Sequence, residues 1–391
     1  MMVYNLSIPK GVVSIILSIL PFIQSCIYSY DPPTPERERL LAINGDILLG
    51  QDTRIVITRS TPVGANHSDN VRADAVYVEG SDHSVFIGEA ESDNVYHIDM
   101  GAANPDYAYR LMIEIDQSFY ESEWSPVLRA SPIDTISYFI KDDAMSIQVS
   151  THSDDNNRYY RWSVNQVWEY HAQDYAQAYY DPASDTIRFY DYGGNDYFCW
   201  NSGPVNDLMI ASTEQLSENR LVCHSLFTMN NTEQRASYLY SVEIMQEAIS
   251  ERAYRYFHSV RQNSMDVGGL FSPQPENVRG NIVNRNDASE QVLGFVSVSL
   301  PTRKRIFIDC ASLGFPVYQS ADPYNEGRPV RLPLGSDWNY YYKQGYQVLE
   351  PIFDDNIDRI VGWEWIRSSC IRCQSQGGNK NKPDWWPNDH R

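Results

Sequence analysis

Cations are scarce in this sequence. Lys and Arg number 31 against 51 Asp and Glu, a formal charge of −20 over 391 residues. That balance excludes a nucleic-acid partner, because bound phosphates need cations to displace their counterions. Catalytic signatures are missing too. There is no Gly-x-Ser-x-Gly elbow and no His-Glu-x-x-His, and no two of the 8 His sit at helical ligand spacing. No acidic run carries the alternating ligand pattern of a calcium loop. The chain is therefore expected to be non-enzymatic, with no metal and no cofactor. It shows no repeat of fixed period. Phe is sparse at 13 while Tyr reaches 28, a bias that favours strands and half-wet surfaces. With 42% hydrophobic and 21% charged residues the chain is globular, and its length suits two domains.

The N-terminus carries one cation, Lys10, followed by the apolar stretch Gly11–Ile23 of only 13 residues. A membrane-spanning helix needs about 20, so residues 1–25 are expected to be a secretory signal. The stretch ends Ser25-Cys26, the form of a bacterial lipoprotein cleavage site. Cys26 is the expected lipid anchor, since several acyl chains hold firmly where one holds marginally. Pro32, Pro33 and Pro35 make 26–39 a stiff tether.

Residues 40–131 show short apolar stretches separated by turn signals: Leu40–Ile43, Arg54–Thr58, Ala75–Val78, Val85–Ile87, Tyr96–Ile98 and Tyr107–Ile115. In the last, Tyr109, Leu111, Ile113 and Ile115 share a face. The spacing predicts an immunoglobulin- or fibronectin-like β-sandwich without helices. A linker near Ser131 leads into a larger β-rich domain, 133–391. Met145, Ile147 and Val149 alternate. So do Tyr160, Trp162, Val164, Gln166, Trp168 and Tyr170. Further strands are expected at Thr186–Tyr190, Tyr197–Trp200, Leu208–Ala211, Arg220–Phe227, Tyr238–Ile249, Gln291–Leu300 and Arg303–Ile308. A late strand holds Val361, Trp363 and Trp365. One helix is predicted near 250–265, with Ser250 as cap, Ala253, Tyr256, Phe257 and Val260 at helical spacing, and Gly268-Gly269 as stop.

Beyond Cys26 the cysteines are Cys199, Cys223, Cys310, Cys370 and Cys373. An exported chain permits disulfides, but an odd number cannot all pair. Cys370-Ile-Arg-Cys373 has several readings. One of the two is expected in a structural disulfide to a distant cysteine. A zinc site completed by His224 or Cys223, a redox centre, or reduced thiols are the alternatives. Asp154-Asp155 and Asp354-Asp355 read as solvated turns. The Trp and Tyr stripes read as core, with a sugar-stacking surface as the alternative. Asp134-Thr-Ile and Asp185-Thr-Ile make Thr135 and Thr186 candidate O-glycosylation sites.

Several segments together carry a resemblance. They are Tyr159-Tyr-Arg-Trp-Ser-Val-Asn-Gln-Val-Trp-Glu-Tyr170, Leu216-Ser-Glu-Asn-Arg220, Gly268-Gly-Leu-Phe-Ser-Pro-Gln-Pro275, Gly280-Asn-Ile282, Leu293-Gly-Phe-Val-Ser297, Lys304-Arg-Ile-Phe-Ile308, and the CxxC followed by Gly377-Gly-Asn-Lys-Asn-Lys-Pro-Asp-Trp385. The chain resembles the Bacteroidota lipoproteins grouped as domain of unknown function four-two-four-nine, over nearly all of its mature length. Cys310 departs from that pattern. The resemblance implies an outer-membrane lipoprotein, held to the membrane by its lipid and partnered with a TonB-dependent receptor. It would act as an accessory or ligand-capture subunit of an uptake complex. A structural or adhesion-like surface protein, or an enzyme acting on glycans or peptides, are the other readings.

Overall fold

The computed structural model describes residues 39–61, 69–154, 157–191, 194–265, 279–317 and 328–387. Seven strands form the first layer pair: β1 (Leu41–Asn44), β2 (Asp52–Arg59), β3 (Ala75–Gly80), β4 (Val85–Ser92), β5 (Val95–Asp99), β6 (Ala108–Ile115) and β7 (Ser118–Ser122). Their order is β7-β6-β3-β4-β5-β2-β1. β4 changes sheets partway: Val85–Ile87 pair with β3, and residues from Gly88 onward pair with β5. The first, second and fifth strands thus oppose the third, sixth and seventh, which is the immunoglobulin-type arrangement expected. Alternation drives it. Tyr109, Leu111, Ile113 and Ile115 all turn inward, as do Ile55 and Ile57 of β2 and Val76 and Val78 of β3.

Later residues return to this sandwich. Ile282–Asn284 pairs with β7, Val292–Leu293 runs parallel to β1, and Val298–Leu300 lies between Ile47–Leu48 and Leu128–Arg129. The single strand expected over Gln291–Leu300 is therefore two short ones. Gly294 breaks it at φ +133°, pressed against the backbone of Ile43, while a side chain at Gly280 would overlap the Gly294 carbonyl. Only glycines permit that approach.

A second sandwich follows. One sheet has the order β8 (Ile133–Lys141), β9 (Ala144–His152), β12 (Arg220–Asn230). The other has the order β11 (Phe198–Ser212), β10 (Tyr159–His171), β13 (Leu239–Ala248), β14 (Thr302–Asp309). Between them lie Met145, Ile147, Val149, Tyr160, Trp162, Val164, Tyr240, Val242 and Ile244. The Trp/Tyr stripe of β10 is core. The segments Tyr197–Trp200 and Leu208–Ala211, expected as two strands, are one. Gly203 and Pro204 interrupt their pattern, but β11 is an edge strand, where the missing Pro N–H costs no ladder bond.

The helix α1 (Glu251–Met265) begins where its sequence predicts, and Ala253 N–H donates to Ser250 Oγ (3.1 Å). Its expected Gly268-Gly269 stop lies outside the described residues. Beyond β14, β15 (Val330–Pro333), β16 (Tyr346–Phe353) and β17 (Ile360–Arg367) form a small sheet. It packs with the hairpin Ala178–Asp181/Thr186–Phe189 around Tyr180, Trp363 and the fully buried Trp365. Residues from Leu40 onward cluster as one compact unit, and the first core includes Ile282, Val292, Val296 and Val298 from beyond position 132.

Candidate functional site

Residues of three segments remote in sequence, Tyr159–Tyr170, Leu216–Arg220 and Leu293–Ser297, meet around α1. On the helix, Ala253, Tyr256 and Phe257 face inward onto Ile249, Ile210 and Phe295. Phe295 sits 5.5 Å from the Tyr256 ring and 6.2 Å from Phe257. Arg161 of β10 lies 4.8 Å over the Phe257 ring. Its guanidinium is buried and ion-paired to Asp46 and Glu247. Burial opposes the Arg161 charge, yet the two carboxylates hold its proton more tightly than usual. The Glu247 pKa is raised as well: desolvation, aided by Asp46, outweighs the lowering effect of Arg161. Asp46 also accepts from Ser297 N–H (2.9 Å), so the triad joins both sandwiches beneath the helix.

Beside this support the chain is braced again. Asn219 Oδ1 accepts from the Tyr160 hydroxyl (2.9 Å) and from Thr213 Oγ1 (2.6 Å), and Asn219 Nδ2 donates to the Asn157 carbonyl (2.8 Å). Arg158 donates to the carbonyls of Thr213 and Leu216. The loop after β11 is thereby held in one shape, although much of it is exposed.

Two clefts flank α1. One of about 630 Å³ lies between the helix and this braced loop, with Glu214, Gln215 and Leu216 on one side and Tyr254, His258 and Gln262 on the other. Tyr254 and His258 are one helical turn apart, their rings 5.9 Å from centroid to centroid. Tyr159 packs behind Tyr254 at 5.2 Å. The pKa of the Tyr159 hydroxyl is raised first by desolvation and then by the nearby Glu214 carboxylate.

The second cleft, about 560 Å³, lies between the edge strands β11 and β12, with Val260 and Arg261 contributed by the helix. Both strands bulge there. Asn206–Leu208 stand opposite Ser163 alone, and Val222-Cys223 opposite Ser150 alone. Bulges of this kind re-aim side chains near binding sites. His224 faces the Trp162 ring at 5.4 Å, and burial lowers its pKa, with Arg261 adding to the effect.

The chain compares with known sequences as follows. The profile of the family described as Domain of unknown function (DUF4249) matches residues 27–305. The chain belongs to this family. No curated protein sequence matches it. The DUF4249 match takes in the whole of α1 and the braced loop, and ends inside β14.

The cysteines separate cleanly. Cys373 is disulfide-bonded to Cys199, 174 residues away, with their Cα atoms 5.7 Å apart. Because Cys373 is taken, the CxxC does not supply a paired half of a zinc site. Cys370 is buried against Ile366, Ile371 and Leu349, outside the disulfide, in a short helical turn (Ser368–Ile371) that the sequence reading omitted. Cys310 is a buried thiol whose pKa burial pushes up to about 12. Cys223 is an exposed thiol on the bulge of β12. Thr135 and Thr186 are both exposed. Cys26 and Asp155 lie outside the described residues, while Asp354 accepts from Asn356 N–H in a surface turn. The sequence reading missed the Arg161–Asp46–Glu247 triad, whose members are too far apart in the chain to show a spacing. It also missed Glu214, Tyr254 and His258 as neighbours. The last two lie one turn apart on the flank of the helix, next to the Ala253 and Phe257 face, and both are half-buried.

Proposed function

We propose that this DUF4249 protein is an outer-membrane lipoprotein serving as a non-enzymatic accessory and ligand-capture subunit of a TonB-dependent uptake complex. The signal, Cys26 and the Pro-rich tether support membrane attachment, and the family resemblance supports the barrel partner. The observation that carries the partner role is the far end of the β8–β9 hairpin. Tyr138, Phe139 and Ile140 are 41%, 56% and 37% exposed in consecutive positions. They lie on an edge strand that pairs with β9 on one side only. The near end of the same strand is covered, with Lys304 donating to the Ile133 carbonyl (3.2 Å). Proteins ordinarily protect such edges with charge or cover, and an apolar edge left open suits a protein partner.

Tagged protein purified from native membranes in mild detergent should bring down a large TonB-dependent barrel. Phe139→Glu should abolish that capture while leaving the fold intact. A stable complex should bury more than about 1,000 Å². A monomer with no barrel attached, or a variant that captures as well as the parent, contradicts the proposal.

A further inference from the structure

We propose that the cleft between α1 and the Ser212–Leu216 loop binds an uncharged saccharide, an inference that rests on the ligand-capture reading and names its ligand class. The cleft is of ordinary small-ligand size at about 630 Å³. It carries charges of both signs, Arg255, ion-paired to Glu251 one helical turn earlier, and Glu214 on the facing loop. A charged ligand would therefore meet a like charge at one side of the cleft or the other. A polyhydroxylated neutral ligand can instead add hydrogen bonds to both, since each planar carboxylate or guanidinium has further lone pairs or N–H groups to offer. Gln215 and Gln262 add two amides, each able to donate and accept, as a pair of neighbouring sugar hydroxyls requires. Tyr254 and His258 add two ring faces one helical turn apart, a platform for the apolar C–H face of a pyranose. The loop opposite is held by Asn219 and Arg158, so the site is largely formed before a ligand arrives and little ordering entropy is lost on binding.

The test uses the purified full-length mature chain, without a receptor. It is titrated by isothermal calorimetry with maltotriose, cellotriose, xylotriose and mannotriose, and with trialanine as a zwitterionic control. Saturable binding of at least one trisaccharide is expected, with no binding of trialanine. Tyr254→Ala should weaken that binding at least tenfold. Gln262→Ala, on the exposed face of the helix, should weaken it at least threefold with an unchanged unfolding midpoint. The inference is overturned if none of the four trisaccharides binds, if trialanine binds instead, or if both variants bind as the parent does. Barrel capture by the same Tyr254→Ala protein reports separately on the accessory role. Retained capture with no sugar binding in the parent would sink the ligand class alone.

Discussion

Single side chains do the work of shaping this site. Asn219 accepts from Tyr160 and Thr213 and donates to Asn157, so Asn219→Ala leaves three polar groups to find other partners. A loss of about 1–3 kcal/mol in urea unfolding is expected, and an unchanged midpoint would contradict the bracing role. Glu247 supplies a pH signature. Its pKa is raised in the fold above the ordinary 4.5 by burial and by Asp46. The folded state therefore holds that proton more tightly than the unfolded chain does. The corresponding stability is fully present below about pH 4.5 and is lost as pH rises through the raised value. Glu247→Gln keeps the shape and removes the titration, so stability against pH should be flatter in the variant above that point. Parallel curves for parent and variant would show that Glu247 does not titrate differently on folding. Of these residues only Tyr160 was assigned its place from sequence, because only its inward direction follows from alternation.

At the scale of elements, the C-terminal tail behaves as a strap across the second sandwich. The Cys199–Cys373 bond fixes its start. The Tyr170 hydroxyl donates to the Cys373 carbonyl (2.8 Å). Trp200 and Asn379 exchange backbone hydrogen bonds of 2.7 and 2.8 Å. Trp386, almost wholly buried, packs with Trp200 and Leu239 and donates through Nε1 to Glu169 (3.1 Å). The disulfide closes a long loop and contributes about 2–4 kcal/mol. Cys373→Ser should leave both sandwiches folded but let protease trim the tail, read by mass spectrometry of the digest. Thiol labelling should separate the other cysteines: Cys223 reacts in the native protein, whereas Cys310 reacts only after unfolding. Equal labelling of the two would contradict their placement. A disulfide from the CxxC to a distant cysteine was expected from sequence. The choice of Cys199 was not, because pairing depends on which strand edge the tail crosses.

At the scale of the whole molecule, two sandwiches share a seam sealed by residues remote in sequence. Asp46 meets Arg161 and Glu247 there, and the 282–300 segment returns from the second region to edge the first. The formal charge of −20 suits the proposed lipoprotein, which anionic lipid would repel everywhere but at its anchor. The proposed attachment rests on Cys26. Cys26→Ser should move the protein from the membrane pellet to the soluble fraction, and a variant that still pellets as the uncleaved chain would defeat the lipoprotein reading.

The sequence by itself determined what is local or periodic: the β class, the inward faces of β6 and β10, the start of α1 and its cap. Each follows from spacing along one stretch of chain. Only the tertiary structure decided the rest. The joining of two short strands into β11, the splitting of Gln291–Leu300 at Gly294, the partner of Cys373, and the meeting of Glu214 with Tyr254 and His258 all depend on contacts between segments far apart in the chain. Hydrophobic burial selects those contacts only once the layers have packed, and no spacing along the chain records them.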